Sequence, residues 1–126
     1  VLYRHLPRLL QQEGDRFYQI DKRWRPKDLI PSIISSNILK DAVAKFKGLQ
    51  EAQAELQTLD RAPIYTRILN RMQLALRRAQ FAWRADDLLL IQAIAEFYSD
   101  YGTVLQYLKI DQARGRFDGT ENPPNE

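Results

Sequence analysis

Six arginines and no carboxylate lie between Arg61 and Arg84. Arg67, Arg71 and Arg78 recur at four- and seven-residue intervals, and Arg77 and Arg84 stand seven apart, so on one helix they form two rows flanking a single face. A guanidinium fork bonds phosphate oxygens two at a time and stacks on planar groups, which makes a polyanion the natural partner of such a face. Leu74 and Phe81 fall between the rows, apolar side chains stranded among guanidiniums. Phe81 either packs beneath another helix, as aromatic residues on helices usually do, or stacks on a nucleic-acid base. A second group, Lys22, Arg23, Arg25 and Lys27, surrounds Trp24 just ahead of the helix breaker Pro26, a composition suited to phosphate contact plus stacking.

Other chemistries find little to work with. The chain has no Cys and one His, His5, so thiol nucleophiles, thiolate metal sites and two-His metal faces are excluded. Asp86 and Asp87 read as a helix cap and Asp118 and Glu121 as tail residues, so neither is expected to be a catalytic acid/base pair. No glycine-rich phosphate loop exists. The expectation is a protein that is not an enzyme and needs no metal or cofactor. The enzymatic alternative is an Arg cluster clamping a dicarboxylate, which requires the arginines to converge on a closed pocket.

Charge is segregated along the chain although it sums to only +3. Residues 1–27 sum to +4, 28–60 to −2, 61–84 to +6 and 85–126 to −5. A +6 helix cannot neutralise itself, so it must face a partner, the acidic segment that follows, or water. Pairing of 61–84 with 85–126, in one copy or between copies, would leave no polyanion site. The alternative function is then a helical protein–protein adaptor or self-association module.

The elements that must position these residues are helical. With 126 residues, 44% of them hydrophobic and 28% charged, the chain suits one globular domain with one core. The Gly and Pro residues fall mostly before Gly48 and after Gly115, leaving a middle stretch almost without breakers. Apolar spacing predicts helices over about 38–59, 63–84 and 87–110, with short helices ahead of them and Gly48 a weak point in the first. Asp60 and Pro63 signal the start of the second and Asp86 that of the third. Its wheel places Ile64, Tyr65, Ile68, Leu69, Met72, Leu76, Ala79 and Trp83 in one buried stripe; in the third, the apolar pattern begins at Leu88. The predicted fold is an all-α, single-domain helical bundle of four to six helices over residues 1–114, with 115–126 a flexible C-terminal tail. Apolar runs are too short for a membrane span, and the absence of Cys suits a cytoplasmic protein.

Read in order, three stretches resemble the small-subunit family of type III-A (Csm) CRISPR interference complexes. Leu74, Arg77, Ala79, Ala82 and Arg84 match its L-x-x-R-x-A-Y-x-A-x-R helix, with Gln80 in place of the aromatic. The stretch from Ser36 to Lys40 is similar to its T-S-Q-I-R helix start, with Leu39 and Lys40 on the Ile and Arg. The stretch from Tyr98 through Tyr101 and Tyr107 to Lys109 is similar to F-x-x-Y-x-E-A-x-V-A-Y-x-K, one residue short, with Gly102 and Thr103 where the family has x-E. The resemblance covers about residues 36–109. It implies a non-catalytic helical subunit of a ribonucleoprotein complex in antiviral defense. Several copies would line the guide and target RNA duplex among other subunits, and Lys40 would join the RNA-binding residues.

Overall fold

The computed structural model describes residues 2–11 and 37–117. Helical residues 5–11 (α1) are followed by α2 (Asn37–Glu51), α3 (Gln53–Leu56), α4 (Ala62–Ala82) and α5 (Asp87–Ala113). No strand occurs among the described residues, and the architecture is the all-α single-domain bundle that the sequence predicts. None of these helices is long and apolar enough to cross a membrane.

Helix α5 is the central element. Leu90, Ala93, Ile94, Phe97, Tyr98, Tyr101, Val104, Leu105 and Leu108 are all buried, a spread too wide for one narrow stripe and typical of a helix covered on several sides. It runs unbroken through Gly102. Helix α4 packs along it as an antiparallel hairpin and α2 packs across both. Phe97 anchors the core, with its ring 5.4 Å from Tyr98, 6.3 Å from Phe46 and 6.5 Å from Tyr101 between centroids.

The predicted 38–59 helix is two helices. The break falls at Ala52, which is fully buried and whose N–H is shared between the Gly48 and Leu49 carbonyls, each at 3.2 Å. Three-residue bonds then tighten the chain, from Thr58 N–H to Glu55 O (3.0 Å) and from Leu59 N–H to Leu56 O (3.2 Å), and turn it toward α4. Gly48 is not the weak point. An added Cβ there would come within 3.3 Å of Leu9 Cδ2, so the glycine lets α1 approach α2.

Residues 2–11 belong to the bundle. Leu6, Leu9 and Leu10 are buried, and the Glu55 carboxylate accepts backbone N–H groups from Arg4 (2.9 Å), His5 (3.1 and 2.9 Å to its two oxygens) and Leu6 (3.2 Å). An anion from a distant part of the chain thus satisfies orphan donors at the start of α1 and meets its positive dipole end.

Two other expectations are corrected. Asp60 does not cap α4: the cap position is Arg61, and Asp60 pairs with Arg116 at 2.9 Å. The tail does not leave the bundle at Gly115. Gly115 (φ +75°) closes α5, with its N–H on Gln112 O (3.0 Å) and that of Arg116 on Asp111 O (2.9 Å), a Schellman ending. The turn seats Phe117 in the core, 5.6 Å from the Tyr3 ring. The rest of the expected tail, 118–126, lies outside the described residues.

Candidate nucleic-acid interface

Helix α4 begins at Ala62 and carries Pro63 in its first turn, where the missing N–H costs nothing. It buries Tyr65, Ile68, Leu69, Met72, Ala75, Leu76, Ala79 and Ala82. Two residues of the predicted stripe lie elsewhere: Ile64 is exposed, and Trp83 is a half-buried cap beyond the last turn. What remains outward includes Arg67, Asn70, Arg71, Leu74, Arg77, Arg78 and Phe81, all exposed.

Pairing with α5 sorts the arginines. Arg61 bonds the buried Asp111 carboxylate, which also accepts the Tyr65 hydroxyl, and Arg61 lies 5.0 Å from the Tyr107 ring centroid. Burial pushes the Tyr65 phenol up, and its bond to Asp111 adds to the shift, so it remains a donor. Arg71 reaches the buried Asp100 at 3.1 Å. Burial raises the Asp100 carboxyl above the ordinary aspartate range; Arg71 opposes that shift and Glu96 adds to it. Arg78 meets Glu96 at 2.9 Å with both side chains about half exposed. An exposed pair of this kind contributes only ~0–1 kcal/mol, so Arg78 exchanges partners at small cost.

Arg67, Arg77 and Arg84 have no carboxylate partner among the described residues. The two on α4, Arg67 and Arg77, stand roughly 15 Å apart along the axis at 1.5 Å per residue. Arg84 is not on the helix, contrary to the predicted 63–84 span, because α4 ends at Ala82. It sits in the turn to α5 with φ +62° and its guanidinium 5.7 Å from the Trp83 ring centroid. A left-handed non-glycine residue costs roughly 1 kcal/mol relative to Gly, so the side chain is kept at the expense of stability. Asp86 then caps α5, accepting the Leu89 N–H at 3.0 Å as its sequence position predicts.

Phe81 is 83% exposed and Leu74 56%, so no second helix among the described residues covers this face. Phe81 does not pack beneath another helix among the described residues. Leu88, expected in the core, is 66% exposed across the turn.

Lys40 is exposed on α2, a different helix from the arginines. The start of α2 is tied to α5 through the Tyr98 hydroxyl, which bonds Asp41; Tyr98 projects from the side of α5 opposite Glu96 and its Arg78 partner. Lys22, Arg23, Arg25 and Lys27 lie outside the described residues. A cleft of about 430 Å³ between α1 and α2 is lined by both signs of charge, including Arg8, Asp41, Lys47 and Glu51, and by no arginine of α4. No cluster of three potential metal ligands occurs among the described residues. Comparison with family models, curated proteins and solved structures returns no match.

Proposed function

We propose that this chain is a non-catalytic helical subunit that binds the RNA phosphate backbone through the outer face of α4, within a ribonucleoprotein complex of the CRISPR type. The observation that carries the reading is the sorting of the arginines. The acidic α5 absorbs Arg61 and pairs with the exposed Arg71 and Arg78, while Arg67, Arg77 and Arg84 keep no carboxylate partner among the described residues. Contacts of this kind position a strand without reading its bases. The resemblance to the Csm small subunit supplies the assembly and the expected partners, RNA and neighbouring subunits.

RNA binding at low salt tests the reading, for the chain alone and for the assembly recovered from its host with any associated RNA and subunits. Arg67→Ala, Arg77→Ala and Arg84→Ala should each weaken binding by similar factors across unrelated sequences. Absence of RNA affinity in both forms would discard the proposal. The adaptor reading is favoured by one feature, the cross-helix pairing of Arg71 and Arg78, and gains if the three substitutions alter self-association instead of RNA binding.

A further inference from the structure

Phosphate contact explains the arginines of α4 but not the phenyl ring set among them. Phe81 contributes almost nothing to the core at 83% exposure, yet it follows Arg77 by one helical turn and precedes Arg84 by three residues. Leu74 lies on the same line two turns earlier, 56% exposed. A surface selected only for backbone charge gains nothing from either side chain.

A paired duplex offers such a ring no planar partner. Its base faces are closed by stacking, and the A-form major groove is too deep and narrow to be read by a helix. An unpaired strand does offer one, because its bases turn outward and stack on aromatic side chains while basic residues track the backbone. Arg77 and Phe81 are separated by roughly 6 Å along the helix axis, within the reach of one nucleotide. Arg84 follows Phe81 by three residues, in the left-handed turn, with its guanidinium near the Trp83 ring.

We propose that the outer face of α4 selects unpaired RNA over duplex RNA, with Phe81 stacking on an exposed base and Arg77 and Arg84 holding the flanking phosphates. The proposal rests on the RNA-binding reading above and departs from the duplex partner that the family resemblance implies.

Fluorescence anisotropy on the full chain at low salt tests it, with a short labelled oligouridine and an RNA duplex of the same length as probes. The single strand should bind more tightly than the duplex. Phe81→Ala should weaken single-strand binding by about 5- to 150-fold, the range that base–aromatic stacking supplies, leave duplex binding unchanged and leave the melting temperature at the parent value. Phe81→Trp should retain single-strand affinity. Equal binding of the two probes, or a Phe81→Ala protein that binds the single strand as the parent does, would overturn strand selection and leave the RNA-binding reading standing. A Phe81→Ala protein that melts well below the parent would show the ring to be covered in solution and would equally overturn it. If the parent chain binds neither probe, strand selection by this chain is overturned, and the reading beneath it falls as well when the assembly recovered from the host also lacks RNA affinity.

Discussion

Glu55 ties α1 to the rest of the bundle through three backbone amides, and its removal should be measurable. The side chain is 7% exposed and its two oxygens accept the N–H groups of Arg4, His5 and Leu6. In Glu55→Ala those donors lose their acceptor in a place that water reaches poorly. A hydrogen bond to a charged group contributes roughly 1.5–3 kcal/mol, and losing a capping acceptor costs roughly 0.5–2 kcal/mol. These figures describe overlapping effects, and α1 can loosen before the full penalty is reached, so the expected loss is about 3 kcal/mol and not the sum over three bonds. For a domain of this size that corresponds to a fall in Tm of roughly 10–15 °C. Glu55→Gln keeps one acceptor oxygen and loses the charge, so it should fall about halfway between. Urea denaturation supplies the free energy, and amide exchange at Arg4, His5 and Leu6 supplies the location. A Glu55→Ala protein that melts within ~2 °C of the parent, with those amides no faster, would refute the capping account.

Each unpaired arginine should carry about one phosphate, so Arg67→Ala, Arg77→Ala and Arg84→Ala should each make the log–log salt dependence of RNA binding shallower by roughly 0.7 on a single strand, read from titrations at several salt concentrations. Arg84→Gly relieves the left-handed backbone and should raise stability by roughly 0.5–1 kcal/mol in denaturant unfolding while weakening RNA binding, a trade visible in two assays on one variant. Asp100 holds its proton more tightly folded than unfolded, so its contribution to stability falls as pH rises from the ordinary aspartate range through its raised value and stays low above it. Asp100→Asn should therefore flatten that part of the stability–pH profile and leave stability at neutral pH equal to or above the parent's.

The helix starts marked by Pro63 and Asp86 were legible because they depend on local chemistry: a missing N–H in a first turn and a carboxylate aimed at a free amide. The break at Ala52 was not, since alanine is the best helix former and the bend is imposed by the need to bring α4 back onto α5. Glu55 was equally silent, because its partners are backbone amides and carry no side-chain signature. The basic, apolar-dotted face of α4 was visible as a periodicity. The division of its arginines was not, since it depends on which carboxylates the hairpin register sets opposite them: Asp111, Asp100 and Glu96 against Arg61, Arg71 and Arg78. The end of α5 was misplaced because Gly115, a composition signal for a tail, is equally the residue that a helix ending requires.

The α4–α5 hairpin also orders the assembly of the chain. Its two helices are joined by only four residues, Trp83 to Asp86, so they meet with little loop-closure entropy, whereas Glu55 reaches α1 across about fifty positions of chain. Contacts between sequence neighbours are the ones made early, and α4 with α5 already encloses much of the core. Docking of α1 then comes after the rate-limiting step. Weakening the Glu55 clamp should shift the unfolding arm of the chevron upward while the refolding arm stays in place.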